Sequence, residues 1–207
     1  FYNSYEEISN SATVGSGVKP GYIKYKDLNN DGKIDDNDRK VSGNLTPSIT
    51  YAFNLMLGWK GLEFSAQFQG VADVCTYLSG NLAAPFWNGA GVLKEWATDA
   101  WTEENHDSRL PILHTATGAP EMHDYKNTQW LYDASYLRCK QLQLSWTLPE
   151  RWVSKIKMKQ CQVFVNGQNL FTFSPLKMFD PEIDLSSTNL IQYPSLKTYN
   201  FGFNITF

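Results

Sequence analysis

The 207 residues carry 18 Lys and Arg against 21 Asp and Glu, a formal net charge of −3, with 14% aromatic residues but only 19% charged ones. This excludes a disordered chain, which would lack rings and β-branched residues, and a nucleic-acid binder, which would need a basic excess where the pI here is ≈ 5.6. No apolar run reaches the roughly 18 residues of a spanning helix, three cysteines without C-x-x-C spacing make no disulfide framework, and 16 Asn with 9 Gln reconcile the many rings with a mean hydropathy of −0.40.

Residues 1–20 carry no motif. They open Phe1-Tyr2-Asn3, with no Met and no cationic-then-apolar leader, so a processed product or a piece of something longer is expected. Residues 27–38 then read D-L-N-N-D-G-K-I-D-D-N-D, close to the D-x-[DN]-x-[DN]-G of calcium loops. Asp27, Asn29 and Asp31 offer side-chain oxygens at positions 1, 3 and 5, and Gly32 permits the sharp turn at 6. Lys33 offers its backbone carbonyl at 7 and Asp35 fills 9, while Asp38 stands at 12 where a sensor loop has a bidentate Glu. Hard oxygens at this spacing suit Ca²⁺, with Mg²⁺ as the other hard cation, better than Zn²⁺ or Cu²⁺. The flanks, 22–26 and 41–45, read as extended rather than as paired helices, which points to a structural clip and not a sensor. An acidic Asx-rich turn that binds nothing is the plainer alternative.

Strict alternation begins at Thr50–Trp59, where Tyr51, Phe53, Leu55, Leu57 and Trp59 oppose Thr50, Ala52, Asn54, Met56 and Gly58. It resumes after a very short joint in Gly61–Gly70, where Leu62, Phe64, Ala66 and Phe68 oppose Glu63, Ser65, Gln67 and Gln69. A long segment, Val71–Tyr136, follows. Within it Val92, Leu93, Trp96, Ala97, Ala100 and Trp101 have helical spacing, so a short helix over 92–102 is expected. Trp87 and Trp130 in the same segment are candidate platforms for stacking a sugar, with packing or a partner contact as the alternative. Gln141–Leu148 alternates again, Cys161–Gly167 more weakly, and the chain ends L-K-T-Y-N-F-G-F-N-I-T-F from Leu196 to Phe207. Between these lie a modest joint, Pro149–Met158, beside the cations Arg151, Lys155, Lys157 and Lys159, read as a solvated rim, and a longer segment, Phe171–Ser195.

Five strands of about ten residues, each with one apolar face and one nearly uncharged polar face, fit two architectures. A soluble sandwich buries the apolar face on a second sheet. A membrane barrel turns it to lipid and gives the polar face to the lumen. Length favours the barrel, because ten tilted residues span about 24 Å, the height of an outer-membrane apolar band. So does face chemistry, because Asn, Gln, Ser and Thr stand where a soluble sheet usually carries Lys and Glu. Alternating the strands also puts both short joints at one end and the long segments at the other, as in barrels with short periplasmic turns and long extracellular loops.

Catalytic signatures are missing. His106, His114 and His123 form no H-E-x-x-H, and there is neither a G-x-S-x-G elbow nor a Gly-rich loop opening a helix. Asp180-Pro181-Glu182-Ile183-Asp184 reads as a Pro-bounded loop of solvated acids, and Cys75, Cys139 and Cys161 read as inert. No enzyme is expected.

Several strings together resemble the SusC/RagA-like TonB-dependent outer-membrane transporters of Bacteroidetes. They are G-Y-I-K-Y-K-D-L-N-N-D-G-K-I-D at 21–35, W-T-E-E-N at 101–105, D-A-S-Y-L-R-C-K-Q-L-Q-L-S-W-T-L-P at 133–149, V-F-V-N-G-Q-N-L-F-T-F at 163–173, D-P-E at 180–182 and Y-P-S-L-K-T-Y-N-F-G-F-N-I-T-F at 193–207. The resemblance covers nearly all of the chain from Gly21 to Phe207. It implies an all-β fold, the last five strands of a 22-stranded transmembrane β-barrel with long extracellular loops, the plug domain lying outside this chain. Residues 1–47 would be an extracellular segment holding the Ca-type loop, and 48–207 the C-terminal strands and loops. It further implies import of oligosaccharides or peptides across the bacterial outer membrane. The partners would be the rest of the barrel and plug, a SusD-like surface lipoprotein, and TonB through a segment not in this chain. The cation site carries over onto Asp27, Asn29, Asp31, Lys33, Asp35 and Asp38, and the barrel-assembly signal onto Phe207. The other reading to be tested is a soluble Ca²⁺-stabilised β-sandwich, such as a carbohydrate-binding module.

Overall fold

The computed structural model describes residues 1–115, 126–183 and 193–207. Among them the strands are β1 (Ile49–Trp59), β2 (Leu62–Ala72), β3 (Cys75–Tyr77), β4 (Leu131–Asp133), β5 (Tyr136–Thr147), β6 (Gln160–Gln168), β7 (Thr172–Phe173) and β8 (Thr198–Thr206). Three short helices join them: α1 (Tyr5–Ser9), α2 (Lys94–Thr98) and α3 (Glu150–Val153). The five long strands lie in the order β1-β2-β5-β6-β8, each antiparallel to its neighbours, with β7 pairing with β5; β3 and β4 make a separate two-stranded sheet.

Register keeps like with like across this sheet. One row runs Leu57, Phe64, Leu144, Val165, Phe201, and the row beside it on the same face runs Trp59, Leu62, Trp146, Val163, Phe203. The opposite face carries Asn54, Gln67, Gln141, Gln168 and Thr198 in one row and Met56, Ser65, Gln143, Asn166 and Asn200 in another. Its amides bond across strands, Asn200 to Asn166 at 2.8 Å and Asn204 to Gln162 at 3.3 Å; Gln162 donates to Ser145, and Ser145 to Glu63. The apolar face stands open at Phe53, Trp59, Phe201 and Phe203. A soluble sandwich would have buried those rings.

Turn chemistry fixes the pairing. Lys60 and Gly61 join β1 to β2 with φ of 47° and 82°, the two positive values that a tight hairpin turn matched to strand twist requires. The connection from β5 to β6 holds α3, whose Val153 is buried, and reverses at Lys157 with φ 61°. β7 takes up the line of β6 along β5 after a break at Asn169, whose N–H reaches the Lys140 carbonyl at 3.2 Å.

Two expectations are corrected. The third long strand starts at Tyr136, not Gln141, because a bulge opposite Gln67 and Phe68 leaves Lys140 unpaired and shifts the alternation by one residue. The helix expected over 92–102 is only Lys94–Thr98. Beyond it the Trp101 N–H bonds to the Leu110 carbonyl at 2.9 Å, which draws Ala100 and Trp101 into a bridge with Leu110 instead of another helical turn.

The described residues fall into two compact units. One is the long-stranded sheet, from 44–75, 133–183 and 193–207. The other joins 1–43 to 76–132, so a boundary at residue 47 follows the order of the chain while the compact grouping interleaves it. This second unit has its own buried core of rings, including Tyr2, Tyr22, Trp96, Trp101 and Trp130. The motif-free residues 1–20 belong to it: Tyr2 is buried, its hydroxyl donates to the Ala12 carbonyl at 3.0 Å, and its backbone pairs with Gly21 and Tyr22.

Gly70 of β2 lies under the ring of Tyr51, its partner on β1; a Cβ there would stand 2.5 Å from Tyr51 Cζ and would also meet the Tyr136 carbonyl oxygen. Gly58 of β1 has nothing within 4 Å of such a Cβ. Gly70→Ala is therefore expected to cost about 1–3 kcal/mol of stability through overpacking, while Gly58→Ala is neutral or slightly stabilising. Thermal unfolding of the two variants of the full-length protein checks this, and equal effects would refute the packing account.

Candidate functional site

The acidic loop folds by its own hydrogen bonds. Asp27 accepts from the N–H groups of Asn30 at 2.6 Å and Gly32 at 2.8 Å. Asn29 Oδ1 accepts from Asp31 N–H and Asp31 Oδ1 from Lys33 N–H, while Asn29 Nδ2 donates to Asp31 Oδ2. Asp35 caps the 3-10 turn Asp36–Asp38, and Asp38 closes the loop by accepting from Asp35 N–H at 2.8 Å and Leu28 N–H at 2.7 Å. Those two donors hold the Asp38 carboxyl below its ordinary range. Gly32 with φ 83° and Asn30 with φ 60° make the reversal. The donor set is all hard oxygen and each bonded carboxylate oxygen keeps a second lone pair, which fits a cation such as Ca²⁺. Among the described residues no three His, Cys, Asp or Glu side chains converge into a metal-holding group.

The other sequence candidates are dispersed. Trp130 is 4% exposed and its ring lies 6.1 Å from that of Trp96 in the core of the unit formed by 1–43 and 76–132. Trp87 opens a 3-10 turn, Trp87–Gly89, and is half-buried. Of the two, only Trp87 has surface to offer a ligand. Phe207 follows β8 and is exposed. Of the three histidines, His106 stacks on Trp101 at 5.2 Å, the His114 ring is held below its ordinary pKa by burial, and His123 lies outside the described residues.

A charged cluster forms instead where the sequence suggested solvated acids. Arg138, 2% exposed, sits on the amide face of β5, opposite Gln69. It pairs with Asp180 through Nη2 and with Glu182 through Nη1 at 2.9 Å. Lys140 reaches Glu182 at 2.6 Å, and the Tyr136 hydroxyl donates to the same carboxylate at 2.7 Å. Burial pushes the Asp180 carboxyl up, but hydrogen bonds from Arg138 and from the N–H groups of Glu182 and Ser195 outweigh it and hold the group below its ordinary range. For Glu182 burial is likewise outweighed, by Lys140, Tyr136 and Arg138. Asp180 and Glu182 are thus structural counter-ions, a correction to the solvated-loop reading; Asp184 lies outside the described residues. Beside the cluster is a cavity of about 290 Å³ lined by Arg138, Asp180, Lys177, Lys197 and the apolar Phe171, Leu176 and Phe179, among others.

No family model matches the chain. Curated proteins do. It is 29% identical over 95% of its length to TonB-dependent receptor P3 of Formosa agariphila, and 30% identical over its full length to TonB-dependent receptor P26 of the same organism. It is 24% identical over 91% of its length to TonB-dependent receptor SusC of Bacteroides thetaiotaomicron. Among solved structures, the RagAB peptide importer in its closed-closed state matches 87% of the chain at TM-score 0.64 and 26% identity, covering 20% of that chain. A further structure of the RagAB peptide transporter matches 81% at TM-score 0.61 and 26% identity, covering 18% of it. The chain is a relative of the SusC/RagA-like TonB-dependent transporters. It spans about a fifth of the curated relatives it matches, 20% of one and 21% of another. The SusC/RagA-like class is one of transport proteins, not enzymes, and its relationship extends over the long-stranded sheet described above.

Sequence reasoning passed over Arg138 and its partners, because in the unbroken alternation the arginine shares a face with Leu142 and Asp180 lies 42 residues away. The sign of their pH dependence follows from the depressed carboxyls. Their stabilisation is complete above the ordinary carboxylate values, about pH 4–4.5, and is lost as pH falls through the lower folded values. Thermal stability of the full-length protein in detergent should hold from pH 7 to about 5 and fall below about 4. Arg138→Ala, which strands two carboxylates, should cost about 3–5 kcal/mol at pH 7 and less at pH 3. An equal loss at both values, followed by circular dichroism, would overturn the ion-pair account.

Proposed function

We propose that this chain is the C-terminal barrel portion of a TonB-dependent outer-membrane importer of oligosaccharides or peptides. In this reading its five strands are the last of 22, the apolar face meets lipid, and the amide face lines the lumen. The plug and the TonB-contacting segment belong to the rest of the protein, and a SusD-like lipoprotein covers the extracellular end. The observation that carries the proposal is the separation of faces, with apolar rows in register across five strands and amide rows on the other side. A row of that kind, open to its surroundings, is stable against hydrocarbon and costly against water.

The ends of the sheet support the same reading. Trp59, Trp146 and Trp152 lie at the short-turn end, Lys60 Nζ sits 4.9 Å above the Trp59 ring, and Trp146 meets Trp152 edge-to-face at 5.8 Å. Aromatic rings with neighbouring cations suit a membrane–water boundary. Arg151, Lys155, Lys157 and Lys159 are exposed at that end as well. The peptide cargo named for the RagAB structures is one of the two solute classes proposed here. Phe207, closing the last strand, would be the signal read by the barrel-assembly machinery.

The acidic loop is proposed as a structural cation site. Asp27, Asn29, Asp31, Asp35 and Asp38 would hold Ca²⁺ or Mg²⁺ through side-chain oxygens and Lys33 through its carbonyl. A bound divalent cation would offset part of the charge of the five aspartates gathered on residues 27–38.

Two measurements test these readings. Leu144→Arg, mid-strand on the apolar face, should cost about 2–4 kcal/mol, whereas Gln143→Arg, next door on the amide face, should cost little. Assembly is read as heat-modifiable, detergent-extracted protein, and equal tolerance of the two arginines would sink the membrane reading. For the loop, calorimetric titration of the chelator-treated full-length protein with Ca²⁺ should give binding that Asp27→Ala/Asp31→Ala abolishes. If the parent protein releases no heat and gains no thermal stability with Ca²⁺, the cation proposal fails.

A further inference from the structure

We propose that the cavity beside Arg138 binds an organic carboxylate, with Lys177, Lys197 and the Arg138 Nε–H on its charged side and Leu176 and Phe179 on its apolar side. Three observations converge. The Arg138 side chain is buried, its two terminal nitrogens are engaged by Asp180 and Glu182, yet its Nε–H has no acceptor among the described residues. A buried donor without an acceptor is a standing cost, which an anionic oxygen entering the cavity would remove.

The charge of the lining points the same way. Arg138 and Lys140 are balanced by Asp180 and Glu182, whereas Lys177 and Lys197 on the lining have no ion-pair partner among the described residues. Asp180 is already satisfied: Oδ1 accepts from Arg138 Nη2 and from Glu182 N–H at 3.1 Å, and Oδ2 from Ser195 N–H at 3.1 Å. A second anion therefore enters a site with cations to spare.

The walls decide between kinds of anion. A volume of about 290 Å³ with Leu176 and Phe179 on its lining exceeds what a bare inorganic ion would fill. A monocarboxylate with a ring or alkyl body covers the apolar wall and places its charge on the cations. A neutral sugar leaves the lysines unmatched. Arg138 faces the amide side of the sheet, so the site lies in the lumen on the proposed transporter reading, and to that extent it rests on it. Binding itself is measurable whether or not that reading holds.

The test is calorimetric titration of the full-length protein in detergent with N-acetyl-phenylalanine, with its neutral amide as control and inorganic phosphate as the bare anion. The acid should bind at least tenfold more tightly than the amide, and phosphate no better than the amide. Lys177→Gln/Lys197→Gln, two exposed positions, should weaken the acid at least tenfold, leave the amide unchanged and preserve the thermal unfolding of the parent. Equal affinity for acid and amide, phosphate binding as tightly as the acid, no binding of the acid, or an unaffected double variant would each overturn the site. None of those results bears on the arginine insertions at Leu144 and Gln143, so the two proposals fail separately.

Discussion

An unbroken antiparallel register, carried from Leu57 through Phe64, Leu144 and Val165 to Phe201, determines which side chains meet everywhere else in the long-stranded sheet. Side chains alternate with a period of two, so a slip of one residue in either of its pairings would set Leu144 beside Asn166 or Ser65 and invert the faces from that strand onward. Local chemistry guards against this slip. The Lys60-Gly61 turn admits few other pairings of β1 with β2, and the Tyr51 ring occupies the space that a side chain at Gly70 would need. The Gly202 site works similarly, with the Phe164 ring laid over it from β6. These two ring-on-glycine contacts fit only one alignment, so packing and turn geometry select the same register.

The bulge at Lys140 is the exception that preserves the rule. Without an extra residue in β5, Arg138 would share a face with Leu142 and stand among the rings. With Lys140 set aside, Leu137 and Cys139 fall on the apolar face, and Arg138 falls opposite Gln69 on the amide face. There it meets Asp180 and Glu182, and the displaced Lys140 reaches Glu182 too. One inserted residue thus lets a strand carry two cations without placing the arginine on the side that must be apolar.

The same bulge explains what could and could not be seen in the sequence. β1, β2 and β8 alternate without interruption, so their faces were legible from residue types alone. β5 seemed to start five residues later than it does because alternation changes phase at Lys140, and a period read through a phase change vanishes. The D-P-E string was taken for solvated acid because its partner lies 42 residues away in the chain, a distance no local pattern spans. Trp96 and Trp101 are both buried, as the apolar spacing indicated, but a pairing with Leu110 rather than a continued helix buries the second. The acidic loop was legible as a turn, since Asx side chains fold such segments locally. Whether its carboxylates gather around an ion is a question of convergence, on which spacing is silent.

Polar chemistry on the sheet divides along the strands. Toward the short turns it is an uncharged ladder, Asn204 to Gln162 to Ser145, ending on Glu63. Toward the long connections it is ionic, with Arg138 held by Asp180, which backbone N–H groups hold in turn, and by Glu182, which Lys140 and Tyr136 hold. On the proposed reading a solute enters at the ionic end and leaves along the amides. An uncharged lining offers many replaceable hydrogen bonds and no deep electrostatic well, so it lets a polar solute move on. The ionic end can discriminate because its arginine is fixed: an unheld guanidinium would reorient toward any anion, whereas one whose two ends are engaged presents only its remaining N–H, in one direction. Asp180 and Glu182 therefore matter less for the stability they add than for the single geometry they leave to Arg138.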